Sequence, residues 1–147
     1  MRDKGVYAFH MHRIVLISCV SKKLNKPARA RDLYISPLFR FNLAYAESLK
    51  PDEIFILSAK HGLVPIDQQL APYNETLNAK KVVDVEAWAR GVCQQLRRVA
   101  DLENDEFIFL AGERYRRFIV PELRQVRIPL EGLGLGRQLR FLKRALT

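Results

Sequence analysis

A chain of 147 residues with 48% hydrophobic and 28% charged side chains has the length of one domain and the make-up of a folded one, which argues against a disordered polymer, a coiled coil or a scaffold that needs staples. Its 25 Lys/Arg against 16 Asp/Glu leave a net charge of +9. The longest apolar run, Ile14 to Val20, is interrupted by Ser18 and falls far below the ~18 residues that span a bilayer, so no membrane partner is expected.

In chain order, residues 1–12 are charged, hold His10 and His12, and make a poor secretory signal. They are expected to be an N-terminal extension, a candidate for disorder, with Met11 an alternative start and a cytoplasmic location for the whole. Ile14 to Ile17 (IVLI) is a short, continuously apolar, β-branched run, the pattern of a strand buried on both faces. Ser36 as N-cap and Pro37 as first residue open a helix with Leu38, Phe41, Tyr45 and Leu49 on its core face, stopped by Pro51. Ile54 to Leu57 (IFIL) predicts a second buried strand. Val85, Trp88, Val92, Leu96 and Val99 then recur at helical spacing behind Asp84 as a cap. Phe107 to Leu110 (FIFL) predicts a third strand, and a short helix follows Gly112. Val126 to Leu130 contains Pro129, which suits an edge strand. The last helix runs from about Gly136 to Leu146 with Leu139, Leu142 and Leu146 inward. This alternation predicts one α/β domain over 1–147, a mostly parallel four-stranded sheet with helices on both faces in a Rossmann-like three-layer arrangement.

In such sheets ligands collect at the carboxyl ends of the strands. The first strand runs into Ser18-Cys19-Val20-Ser21-Lys22-Lys23 and the second into Ser58-Ala59-Lys60-His61-Gly62. The third ends in Gly112-Glu113-Arg114-Tyr115 and the fourth in Gly132, Gly134 and Gly136. All four polar motifs are expected to meet on one edge. Cys19 is either an inert small hydrophobe or a nucleophile made acidic by Lys22, Lys23 or Lys60. Cys93, inside the second helix, reads as packing. Lys60 and His61 are either a solvated turn closed by Gly62 or a catalytic pair, His61 moving the proton. The glycines are either a close-packed turn or a cradle of N–H groups at a helix N-terminus, and their spacing is not the dinucleotide fingerprint. Glu113 either pairs with Arg114 or Arg116 or is a catalytic carboxylate.

The charge is uneven. Residues 1–40 hold nine Lys/Arg and two Asp/Glu, 41–112 seven and eleven, 113–147 nine and three. Basic ends suit a polyanion, because neutralised phosphates release counterions, although a solvated surface has the same composition. The three histidines are scattered and the two cysteines show no ligand spacing, so no metal and no cofactor are expected.

LISCVSKK, ARDLYISPLF, ILSAKHGLV, APYNETL, LAGERY and PLEGLGLGRQLRFL together resemble a family of small bacterial domains of unknown function, over about Arg13 to Leu142. Its pattern is Cys-x-x-x-Lys, Leu-Tyr, Leu-Ser-Ala-Lys-His/Tyr-Gly-Leu, Tyr-x-x-Thr-Leu and late glycines. The matching positions are Cys19, Lys23, Leu33, Tyr34, Ser58, Lys60, Gly62, Leu63, Tyr73, Thr76, Gly112, Tyr115, Gly132 and Gly136. Val20 stands where that pattern has a small polar residue. The family is similar in character to the peroxide-stress YaaA-like proteins, and the resemblance implies partners of the kind met in nucleic-acid modification, 7-deazaguanine chemistry included.

The expected function is therefore an enzyme-like domain directed at a nucleotide or nucleic-acid base. Lys22, Lys26, Arg29 and Arg31 near one end of the chain and Arg137, Arg140 and Arg144 near the other hold phosphates. Cys19, Lys60 and His61 address the reactive group, with Ser18, Ser21, Lys23, Tyr34, Ser58, Gly62, Tyr73, Thr76, Gly112, Tyr115 and the late glycines as ligand contacts. A second enzymatic version uses Glu113 at a glycosidic bond. The alternative from another class is a non-catalytic nucleic-acid-binding or stress-associated protein.

Overall fold

The computed structural model describes residues 11–18 and 22–147. The expected extension up to His10, together with Cys19 and Ser21, lies outside the described residues. The three apolar runs form the centre of a five-stranded sheet: β1 (Arg13–Ser18), β3 (Glu53–Ser58) and β6 (Glu106–Leu110). Between the first two runs come the two-residue strand β2 (Ala28–Arg29), the single turn α1 (Ala30–Leu33) and helix α2 (Pro37–Ser48). After β3 the chain turns back as β4 (Gly62–Pro65), then forms β5 (Gln69–Leu70), which pairs antiparallel with β2, and helix α3 (Val82–Arg97). Beyond β6 come α4 (Glu113–Arg116), the edge strand β7 (Gln125–Arg127) and α5 (Leu135–Ala145).

The strand order is β4-β3-β1-β6-β7. β3, β1, β6 and β7 run parallel, as their patterns predict, while β4 is antiparallel to β3 and makes five strands where four were expected. Four residues ending in Pro65 are too short and too weakly patterned to announce a strand. Pro65 is tolerated because β4 is an edge.

Alternation along the strands sorts the side chains into two cores. Ile14, Leu16, Phe55, Leu57, Phe107 and Phe109 pack with Val85, Ala89, Val92 and Leu96 of α3. Val15, Ile17, Ile56, Ile108 and Leu110 pack with Phe39, Leu43 and Ala46 of α2 and Leu142 of α5. Burying both faces is what removes polar residues from these strands. Ser36 caps α2 as expected, its hydroxyl accepting the Phe39 amide at 3.2 Å. The buried face of α2, however, carries Phe39, Asn42, Leu43 and Ala46. The expected stripe of Leu38, Phe41, Tyr45 and Leu49 is only partly buried; Tyr45 stacks edge-on against Phe141 of α5 and Phe41 lies under the Lys143 ammonium.

Two further expectations shift. α3 starts at Val82, so Asp84 sits in its first turn, where it complements the helix dipole, and Lys81 is the cap position. Trp88 is half-buried and Val99 exposed, because the stripe drifts off the core towards both ends. On α5 Leu142 is fully buried, Leu139 half-buried and Leu146 exposed. No helix among the described residues is long and apolar enough to cross a membrane.

Candidate functional site

Register brings the strand ends level. Ile17 lies beside Leu110, and Ser18 beside Leu57, so the segments after β1, β3 and β6 leave the sheet at one edge. β1 is central: the chain leaves it for β3 on one side and later returns to β6 on the other. Loops diverging from neighbouring strands at such a switch point leave a crevice.

A crevice of about 780 Å³ does open at the carboxyl ends of β1, β6 and β7. Ser18 and Lys22 line it from the first strand end, Ala111 to Arg116 from the third, and Glu131, Gly132 and Leu133 from the fourth. Ser36 to Phe39 of α2 and Leu135, Gln138 and Leu139 of α5 complete a largely apolar wall. The Ser18 hydroxyl accepts the Gly112 amide at 3.1 Å and fastens two of these ends together. Glu113 is exposed on the wall and makes no ion pair with Arg114 or Arg116. Arg114 instead donates to the carbonyls of Leu77 and Lys80.

The late glycines divide by cause. Gly132 has φ +80°, a conformation that excludes ordinary side chains. Gly112 and Gly134 are the cap residues of α4 and α5, and Gly136 lies in the first turn of α5. No described atom lies within 4 Å of a Cβ built at any of the four, so close packing does not explain them. Gly134 and Gly136 are outside the crevice wall; Gly112 and Gly132 are on it.

The second strand end forms a separate neighbourhood. Lys60 and His61 are exposed in the turn between β3 and β4 and do not line the crevice. Ser58, buried, closes that turn by accepting the Lys60 and His61 amides at 3.2 and 3.0 Å. Gly62 is required there, since it has φ +75° and a Cβ would stand 2.3 Å from Gln95 Oε1. The His61 ring meets Tyr73 edge-on at 5.6 Å, the Tyr73 and Tyr34 hydroxyls are 2.5 Å apart, and the Lys23 ammonium lies 4.5 Å from the Tyr73 ring centre. Lys23 and Tyr34 also pair as a single β-bridge. The first and second motifs thus share one cluster of Lys23, Tyr34, His61 and Tyr73. Thr76 and Tyr115 form another contact, their hydroxyls 3.4 Å apart, with the Tyr115 oxygen accepting the Leu77 amide.

Residues 14–144 match a family of unknown function, DUF6884. The chain belongs to that family. No curated protein and no solved structure matches it.

The basic residues of this DUF6884 domain differ in how free they are. Arg29 pairs with Asp32 and Asp67, and Arg31 with Asp67 and Glu47. Burial works against the Arg31 charge, but its bond to Asp67 and the fields of Asp67 and Glu47 prevail and raise its pKa. Lys26 is exposed. Arg137, Arg140 and Arg144 are exposed on α5 and have no ion pair among the described residues. Cys93 is buried and belongs to the core, as expected. No group of three His, Cys, Asp or Glu able to hold a metal ion occurs among the described residues.

The sequence patterns of the DUF6884 domain did not single out Asn42 as a crevice residue and gave Arg116 no role beyond pairing with Glu113. Both line the crevice, and Asn42 Oδ1 and Arg116 Nε are buried without a hydrogen-bond partner. The available signal was an amide at the i+3 position from Phe39, inside a stripe that is otherwise apolar.

Proposed function

We propose that the chain is an enzyme-like domain that binds a nucleotide, free or within a strand, in the crevice between the ends of β1 and β6. The observation that supports this best is the crevice itself: about 780 Å³, largely apolar, with a few polar groups, in the range and style of small-ligand sites. Read as a Rossmann-like three-layer fold, the sheet has it at the expected switch point. α2 and α5, of 12 and 11 residues, both begin on its wall, and helix N-termini favour phosphate. The likeness to YaaA-like proteins and to domains of nucleic-acid modification points to the same ligand class.

Cys19 directly follows, in sequence, Ser18, which lines the crevice, and the leading chemistry is addition of its thiolate across a polarised C=C or C=N bond of the base, the electron pair of that π bond moving onto the far atom and taking up a proton. Glu113 on the crevice wall favours a second reading, proton transfer at a glycosidic bond. The Lys60–His61 turn does not line the crevice, and its contact with Tyr73 connects it to the Lys23 cluster.

The test separates holding from reacting. Replacing Arg137, Arg140 and Arg144 by Gln should weaken nucleic-acid binding and flatten its salt dependence by up to ~0.9 log units per lost phosphate contact, while turnover at saturating ligand survives. Cys19→Ser should spare affinity and abolish turnover, and Glu113→Gln should do so if the carboxylate reacts. A ligand left unmodified by the wild-type protein, judged by mass spectrometry after long incubation with single- and double-stranded DNA, RNA and nucleotides, would make the domain a binding module.

A further inference from the structure

Asn42 is 3% exposed, sits among Phe39, Leu43 and Ala46 on the buried face of α2, and borders the crevice. Its Oδ1 is without a hydrogen-bond partner. An unpaired amide oxygen in an apolar stripe is destabilising, and a residue such as Leu at the same place would not carry that cost. A ligand group in the crevice would offset that cost. On the same wall the Nε of Arg116 is also buried and unpartnered, whereas neighbouring Arg114 donates to two carbonyls. An amide and a guanidinium, each with an idle polar atom, therefore border one cavity whose other walls include Phe109, Leu130 and Leu139.

We propose that Asn42 and Arg116 are the two anchors of the crevice and that its ligand is a nucleotide unit, with the base edge on the Asn42 amide and the phosphate on Arg116. This rests on the nucleotide reading above and deepens it. An Asn amide offers a donor and an acceptor side by side, which matches the edge of a base. A guanidinium matches phosphate oxygens in the same paired fashion. The apolar wall takes the faces of the ring, and the N-termini of α2 and α5 add positive potential at the same cavity. A nucleotide uses the amide, the cation and the apolar wall together.

The experiment is calorimetry on the full chain with AMP, GMP, CMP and UMP, the four nucleosides, ribose 5-phosphate and short oligonucleotides. At least one mononucleotide or oligonucleotide should bind at least tenfold more tightly than both its nucleoside and ribose 5-phosphate. Asn42→Leu should reduce that ligand to the affinity of ribose 5-phosphate while raising the melting temperature. Asn42→Ala gives the same loss of affinity without added bulk. Arg116→Gln should reduce the nucleotide to the affinity of its nucleoside and leave the nucleoside unchanged. Preference for the oligonucleotide assigns the unit to a strand, preference for the mononucleotide to a free ligand, and both support the proposal. Nucleotide binding that all three variants retain would overturn the anchors and leave the nucleotide reading standing. A wild-type protein that binds none of these ligands would overturn both.

Discussion

Ser18 Oγ accepts the Gly112 amide at 3.1 Å, joining the ends of β1 and β6 across 94 residues of chain. The bond crosses the point where the two strand-end loops diverge, so it sets the distance between two walls of the crevice. Ser18→Ala should cost ~0.5–1 kcal/mol in urea denaturation, the low end for a hydrogen bond because the Gly112 amide is exposed and regains water. If the crevice binds a nucleotide as proposed, that affinity should fall severalfold at the same time. Unchanged affinity would show that this fastening does not shape the site.

Gly62 and Gln95 are coupled. The left-handed conformation at Gly62 disfavours Cβ by ~1–2 kcal/mol, and that Cβ would also displace Gln95 Oε1, which accepts the Leu63 amide at 2.9 Å. Gly62→Ala should therefore destabilise by about 2 kcal/mol. In a Gln95→Ala background the same substitution should cost less, since the displaced bond is already gone. Strict additivity in the double-mutant cycle would contradict the contact.

Trp88 links helix α3 to the β3 end. Its indole donates to the Ser58 carbonyl at 2.8 Å and its ring meets Tyr115 edge-on at 5.7 Å. Trp88→Phe keeps the ring and loses the bond, for ~1 kcal/mol. Trp88→Ala should cost about 3 kcal/mol, the lower part of the range because the side chain is half-buried. Denaturation midpoints near wild type for the alanine variant would show that this packing carries little.

Cys93 makes stability depend on alkaline pH. Burial, aided by Glu122 and opposed by Arg97, raises its thiol pKa above the ordinary value of 9.0. A raised acid holds its proton longer in the folded state, so its contribution is fully present below the unfolded pKa and declines as pH rises through the folded one. Part of the loss of stability above about pH 9 should therefore vanish in Cys93→Ala. Urea denaturation from pH 7 to pH 10 checks this, and parallel curves for the two proteins would contradict it.

The central strands were legible because IVLI, IFIL and FIFL carry no polar face, which only a doubly covered parallel sheet tolerates. The strand-end motifs followed from topology. Their division into a crevice and a Lys23–Tyr34–His61–Tyr73 cluster did not, because strand order decides which ends are neighbours and no local pattern encodes it. β4 escaped notice because Lys60 to Gly62 reads equally as a loop or as a hairpin turn. The α2 face reads one position out from the sequence. Asn42 stands as a polar residue in the buried stripe, so the apolar pattern points to Leu38, Phe41 and Tyr45, of which Phe41 and Tyr45 meet Lys143 and Phe141 of α5. Arg116 resembled surface charge until its buried Nε showed otherwise.

The proposed nucleotide site is tested most directly by a ¹H–¹⁵N chemical-shift titration of the full chain with AMP, GMP, CMP and UMP in turn. The amides of Gly112, Gly132 and Leu135 and the side-chain amide of Asn42 should shift together along one saturable curve, while Lys60 and His61 stay in place. Shifts confined to the Lys60–His61 turn or to the exposed arginines of α5, with the crevice amides unmoved, would contradict the assignment.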